Sequence, residues 1–520
     1  MRSGALRIPT RRELRDVARL ALPIVFVQVG LNFMGTVDAA MVGRVSAIDL
    51  AAVALGNFWW ITIALFGAGV VMAIDPVVSQ AVGAGAEDDV ALGVQRGLLL
   101  ALGVALFASL CFLPTEWLLR LLRQPPEVIP LAAQWVRIQI PSTLPYFLFV
   151  AVRQSLQAHH VTRPVVGAVI VGNVVNVVLN WVFIFGHLGA PALGAEGSAI
   201  STTVGRFVMT GTLVTLGWPS LRHAVRPWRP ETRRWAPIGR MLRVGLPIGI
   251  HQFCEVVAFG GALALIGMLG TVPLAGHEIT ISLASLTYMV PLGINAAAAV
   301  LVGRAIGRGD MDGARREASA ALACGVGFMA CAAVALVALP VPLARAFTTD
   351  AAVVGVAAAL IPIAGIFQMF DGVQGVSSGI LRGAGDTRVP MLMNVLAYAV
   401  VGLPLGAWLC FGAGYGAVGM WWGLVAALVV AAAALGWRVH THLGRDLGRL
   451  RVEDEAGAAP AHRIRLTPLA DSHRTPRRFP NSAVSSGHES DHPAGAAWGE
   501  VHGDWRADRG VPGRDHLPSW

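Results

Sequence analysis

The sequence contains no lysine: all forty basic side chains are arginine. Charge as a whole is scarce, at 14% of residues against 55% hydrophobic, and the mean hydropathy is +0.62. A 520-residue chain of that composition fits no ordinary soluble protein. The net charge of +9 and pI near 10.3 suggest nucleic acid at first, but most arginines flank long apolar runs, so nucleic acid is not an expected partner. Cysteine is also sparse. Cys111, Cys254, Cys324, Cys331 and Cys410 are odd in number, widely spaced and inside apolar runs, which supports neither a disulfide framework nor a structural metal site.

What the chain has in abundance is apolar length. A helix needs about 20 apolar residues to cross the hydrocarbon, and twelve such runs can be marked: 17–41, 49–76, 90–114, 129–157, 162–187, 194–218, 238–270, 274–302, 314–342, 354–380, 388–412 and 415–440. The expected fold class is therefore an all-α polytopic membrane protein with twelve transmembrane helices. The arginines set its orientation. Seven lie between Arg222 and Arg243 alone, and others crowd the N-terminus and the loops after runs 8 and 10, whereas the alternate loops carry only Arg44, Arg120, Arg123 and Arg345. Both termini are expected in the cytoplasm, with the chain in the cell (inner) membrane and in contact with the bilayer. The opening MRSGALRIPTRRELRDVARL resembles a signal peptide's basic region, but the apolar run behind it is too long and lacks a cleavage site, so an uncleaved first span is expected. Beyond residue 440 the composition turns to Arg, Pro, Gly, Ser, Asp and His without apolar period, which predicts a disordered cytoplasmic tail over 441–520 whose histidines lack regular ligand spacing.

The chain also repeats itself. LALPIVFVQVG at the start of run 1 meets VGLPIGIHQFC at the start of run 7, with Pro23 over Pro247 at an offset of 224. The same offset puts QAVGAGAED on RAIGRGDMD, matching Gly83 to Gly307 and Gly85 to Gly309; Thr162 and Arg163 then match Thr387 and Arg388 at 225. Six spans per half is an even number, so the halves run the same way through the membrane as two parallel six-helix repeats, a transporter plan with the substrate site between them. The expected organisation is a basic cytoplasmic N-terminus (1–16), a first lobe (17–218), a basic inter-lobe loop (219–237), a second lobe (238–440) and the tail (441–520). The Gly-rich turns after runs 2 and 8 follow no strand and lack the GK[ST] ending of a phosphate loop, so they are expected to be tight helix–helix turns.

A charge at membrane depth costs about 2.5–3.5 kcal/mol on insertion scales, which makes such residues functional candidates. Three carboxylates qualify: Asp38 in run 1, Glu255 in run 7 and Asp371 in run 10. His251 and Gln252 share a face with Glu255, and Gln368, Gln374 and Ser378 share one with Asp371; these are polar stripes suited to a wet cavity. A carboxylate there can hold H⁺, Na⁺ or a cationic substrate, but not all at once, and that competition is sufficient chemistry for an antiporter. The alternative is that each is satisfied by Arg or backbone donors, with Arg206 and Arg153 as partners, or, for Asp38, by water near the end of its span. Asn173, Asn176 and Asn180 recur at i, i+3 and i+7 in run 5, which suits either a cavity wall or interhelical hydrogen bonds of about 0.6 kcal/mol each. Asp75 is expected near cytoplasmic water, Glu278 and His277 at the interface, and the aromatic groups at Phe58 to Trp60, Trp181 to Phe185 and Trp421 to Trp422 in an interfacial belt.

LPI near the starts of runs 1 and 7, MGTVDAAMVG (Met34 to Gly43), Glu255, VPLGINAAAAVLVGRAIGRGD (Val290 to Asp310) and FQMFDGVQGVSSGILRGAGDTRVP (Phe367 to Pro390) together resemble the multidrug and toxic compound extrusion, or MATE, transporters, most closely the NorM-like branch. The resemblance covers about residues 14 to 440. It implies two six-helix lobes around a V-shaped cavity and export of small cationic amphipathic compounds against Na⁺ or H⁺ entry. It also implies cation coupling at Glu255 and Asp371, with transient Na⁺ there, and proton coupling at Asp38. No catalysis and no cofactor beyond the coupling ion is implied, and a monomer is expected. Phe367 stands where some NorM-like members have Tyr, and Glu278 where Gln is usual; both leave the choice of ion open.

Two rivals are weaker. GAGD at Gly383 to Asp386 fits the GxGD pattern of intramembrane aspartyl proteases, but Asp386 falls in an Arg-flanked loop and a protease does not explain the repeat. A lipid-linked precursor flippase of the same superfamily would want arginine in the cavity, where the clear mid-span charges are acidic.

Overall fold

The computed structural model describes residues 7–450. Among them every regular element is helical, and twelve helices are long and apolar enough to cross a membrane, as the apolar runs predict: α1 (Arg11–Val42), α2 (Ala47–Gly83), α3 (Glu87–Phe112), α4 (Ile129–Ala158), α5 (Arg163–Phe185), α6 (Ala195–Val225), α7 (Trp235–Gly267), α8 (Thr271–Gly307), α9 (Met311–Ala338), α10 (Ala351–Gly383), α11 (Arg388–Gly412) and α12 (Gly416–Leu443). Their starts follow ordinary capping chemistry. Thr10 and Glu13 form a capping box at α1, and the carboxylates of Asp310 and Asp350 accept from backbone N–H groups opening α9 and α10. Leu102, Leu106 and Leu110 on α3 stand exposed at helical spacing, an outward face suited to lipid rather than water.

The internal repeat is visible in how the two halves meet. The α2–α3 and α8–α9 turns each pass through a left-handed glycine, Gly85 (φ +66) and Gly309 (φ +73), with open space around both, so backbone conformation explains these glycines. Close approach explains Gly83 and Gly307. A Cβ on Gly83 would meet the Arg304 carbonyl oxygen at 2.2 Å, and one on Gly307 would meet the Gln80 oxygen at 2.1 Å. The offset of 224 exchanges these two contacts with each other. It likewise exchanges Gly69 against Gly249 (α2 on α7) with Gly293 against Val25 (α8 on α1). Small residues are what let these backbones touch.

Two expected boundaries move. The tail does not begin at 441: α12 runs to Leu443, and residues 444–450 are fastened to the first half by an Arg449–Asp89 ion pair at 2.5 Å and a Leu450 N–H donated to Gln80 at 2.7 Å. The rest of the tail, from 451, lies outside the described residues, as do residues 1–6. The inter-lobe loop is shorter than 219–237, because α6 continues through Pro219 to Val225. Gln95 of α3 pins it, donating to the Ala224 and Pro227 carbonyls and accepting from Arg229 N–H and the Thr232 hydroxyl.

Candidate functional site

A cavity of about 520 Å³ lies between the halves. Its apolar walls include Phe58 and Leu65 of α2, Phe259 of α7, Ile281 of α8 and Phe367 of α10; its polar lining includes Glu255, His251, Gln252, Tyr288, Asp371 and Gln374, with Arg382 and Asn295 on one side. The polar stripe of α7 and the middle of α10 thus converge on one space. His251 Nε2 stands 3.9 Å from Glu255 Oε2, one helical turn away, and 3.5 Å from the amide of Gln374, which donates to Asn394 at 2.7 Å. Gln252 reaches across to the Met72 sulfur of α2 at 3.5 Å.

Asp371 is 5% exposed and accepts no hydrogen bond from a described residue, while Glu255 has only the His251 contact. The two carboxylates lie within each other's field. Two anions facing one apolar-walled space repel unless a proton or another cation sits with them. That arrangement can bind a cation and release it when a competitor arrives. Phe367 is buried, edge-on to Trp421 (5.6 Å between centroids) and Phe259 (6.2 Å), and offers the cavity wall an aromatic ring without a hydroxyl.

Gln368 does not line this cavity. It is fully buried between α10 and α8, donating to the Ala284 carbonyl at 2.9 Å and to the Thr287 hydroxyl. Nor do the three asparagines of α5. Asn173 donates to the Gly30 carbonyl of α1 at 3.0 Å, and Asn176 to the Thr202 hydroxyl of α6 at 3.4 Å. Asn180 donates to Asp38 at 2.6 Å. The i, i+3, i+7 stripe therefore faces α1 and α6, because a buried carboxylate there needs donors. Asp38 does not reach water. It is 5% exposed and accepts from Asn180 and from Thr202, each at 2.6 Å. Its polar cluster lies inside the first half, apart from Glu255 and Asp371. Arg206 is not its ion-pair partner: the guanidinium donates to Gln139 and Ser142 and stacks 3.6 Å over Trp60.

Other positions depart from the sequence reading. Trp60 and Trp421 are core residues rather than belt residues, whereas Trp181 and Trp422 remain exposed. Trp421 donates to His277, which is buried, while Glu278 beside it is exposed and lines the cavity. Asp386 is ion-paired with Arg438 at 2.7 Å, which leaves no free aspartate for a GxGD protease. Asp75 is 2% exposed, not near water, and pairs across the two halves with Arg382 at 3.1 Å. Sequence reading missed this pair, along with Thr202, Tyr288, Asn295 and Asn394. The only signal was Asp75 within an apolar run; Arg382 read as one more loop arginine.

The MatE family profile matches residues 23–182 and 247–408, the same two halves that the repeat defines. The chain is 35% identical over 438 residues to the "Probable multidrug resistance protein NorM" of Rhizobium meliloti (strain 1021), covering 82% of this chain and 93% of that one. It is 35% identical over 448 residues to the "Multidrug resistance protein NorM" of Burkholderia vietnamiensis, covering 84% and 96%. Among solved structures, the eukaryotic MATE transporter AtDTX14 superposes with a TM-score of 0.78 at 21% identity over 85% of this chain and 99% of that one, which shows a shared fold.

Proposed function

Because the chain belongs to the MatE family, we propose that it is a multidrug efflux transporter that expels small cationic amphipathic compounds in exchange for a cation taken up at Glu255 and Asp371. It is a transporter and not an enzyme. The observation that carries the exchange reading is Asp371, which has no hydrogen-bond or ion-pair partner among the described residues and faces the same apolar-walled cavity as Glu255. A flat organic cation finds aromatic walls at Phe58, Phe259 and Tyr288 and two carboxylates to neutralise it. A proton or Na⁺ entering the same carboxylates removes the charge that held it, and so releases it. His251, within reach of Glu255, is positioned to exchange a proton with it, with the Gln374 amide beside the ring. Asp38, with its own donors, serves as a second titratable site in the first half. The arginine distribution supports cytoplasmic termini, and the start of α1 and the end of α12 share the end where α2, α8 and α10 finish. The chain acts as a monomer, since one chain supplies both walls of the cavity.

The test is transport of a fluorescent cationic dye in proteoliposomes under a Na⁺ gradient or a pH gradient imposed separately. The wild type is expected to move dye under one of the two. Glu255→Gln and Asp371→Asn are expected to lose gradient-driven movement. Variants that move dye like the wild type sink the coupling assignment.

A further inference from the structure

Arg382 lines the cavity and pairs with Asp75 across the two halves at depth: the side chains of Asp75 and Arg382 are 3% and 7% exposed. Asp75 belongs to α2 and Arg382 to the last turn of α10, one residue before Gly383, whose carbonyl accepts from Gln80 of α2 at 2.9 Å. The pair therefore sits on the seam where Gly303 meets Ser79 and Gly307 meets Gln80. We propose that Asp75 and Arg382 form the charge lock of the transport cycle, closed in the state seen here and broken each time the halves part at the end where α2, α8 and α10 finish.

Two observations separate a lock from a static bridge. First, each charge has a fallback partner in its own half. Gln154 of α4 donates to Asp75 at 3.2 Å, and the neighbouring Arg153 lies within its field; Arg382 donates to Asn295 of α8 at 2.8 Å. Parting the halves thus hands Asp75 to α4 and leaves Arg382 on α8, so neither charge is stranded. Second, the pair breaks the repeat. The positions mapped onto Asp75 and Arg382 are Ala299 and Gln157, so this charge contact occurs on one side of an otherwise reciprocal seam.

Arg382 is three helical turns from Asp371 on the same helix, and both line the cavity. A movement of α10 driven by cation exchange at Asp371 would reach the lock directly. The proposal rests on the transporter reading for its meaning, but its test needs no substrate and no gradient.

Spin labels on Ala84 and Arg308, exposed positions just past the ends of α2 and α8, report the distance between halves at the seam. In the full-length protein reconstituted in nanodiscs without a gradient, Asp75→Asn and Arg382→Gln are each expected to raise the ratio of long- to short-distance populations by at least about tenfold. The exchanged pair, Asp75→Arg with Arg382→Asp, should bring the ratio back toward wild type. A purely structural bridge would instead lower the thermal midpoint with the distances unchanged, and that result overturns the proposal. Should either single charge variant fail to fold, the neutral pair Asp75→Asn with Arg382→Gln carries the same expectation, and unchanged distances in it overturn the proposal equally. Loss of dye transport with wild-type distances counts against the lock; shifted distances without any dye transport in the wild type count against the transporter reading.

Discussion

The reciprocal glycines at the seam allow a quantitative test of the idea that backbone contact holds the halves together. A methyl group on Gly83 would sit 2.2 Å from the Arg304 carbonyl oxygen, and one on Gly307 2.1 Å from that of Gln80. Both obstacles are backbone, so no rotamer change relieves them, and the opposing helix must withdraw by about 1 Å to reach ordinary contact. Overpacking of that kind costs roughly 1–3 kcal/mol, which is about a 5- to 150-fold shift against the closed seam. Gly83→Ala and Gly307→Ala should therefore lower the thermal midpoint by about 2–6 °C and weaken dye transport in proteoliposomes. The double variant should fall short of the summed loss, because the helices parted by the first methyl accommodate the second. Gly103→Ala is the control: nothing lies within 4 Å of its added methyl, and alanine is the better helix former, so its midpoint should hold or rise. If Gly83→Ala and Gly307→Ala behave like Gly103→Ala, the backbone seam is not what holds the halves together.

Phe367→Tyr adds a hydroxyl to a ring that lines the cavity and packs against Trp421 and Phe259; buried and left unpartnered it costs about 1–3 kcal/mol. Melting in sodium chloride against choline chloride should show a midpoint loss that Na⁺ selectively restores; equal midpoints in both salts would remove Phe367 from the choice of ion. His160, between α4 and α5, is pushed down to about 4 by partial burial and by the nearby Arg304 and Arg308. As pH falls below the ordinary 6.5, the unfolded chain takes up a proton there before the folded one does, so this contribution to stability is full above 6.5 and lost progressively toward 4. His160→Gln should flatten the fall in melting midpoint across that window, and a variant with the wild-type slope would show that other groups set it.

The spans, their number and the repeat were legible because each rests on a property that sequence carries directly. Apolar length marks a crossing helix, and glycine marks a turn or a close approach. Charged residues inside apolar runs were also visible, so Asp38, Glu255 and Asp371 could be named without coordinates. What a polar residue faces was not visible, since that depends on helix rotation. Asn180 and Gln374 each occupy polar stripes, yet one holds Asp38 inside the first half while the other lines the cavity. Asp75 and Arg382 are 307 residues apart and meet only through the packing of α2 on α8 and α10. Single-sequence reasoning assigned one to water and the other to a loop because each stands near the end of its span.

Comparing the two halves residue by residue separates scaffold from chemistry. The backbone contacts of the seam are reciprocal: Gly83 with Arg304 and Gly307 with Gln80, Gly69 with Gly249 and Gly293 with Val25. The charges are not. At the repeat offset Glu255 falls on Leu31, Asp371 on the aromatic pair Tyr146 and Phe147, and Asp38 on Ala262. Because the halves run the same way through the membrane, this symmetry relates one half to the other at the same end and does not relate the two opposite openings to each other. The reciprocal backbone contacts are therefore scaffold, while the carboxylates and the Asp75–Arg382 pair, which lie off the symmetry, are where a bound cation can shift the balance between closed and open arrangements.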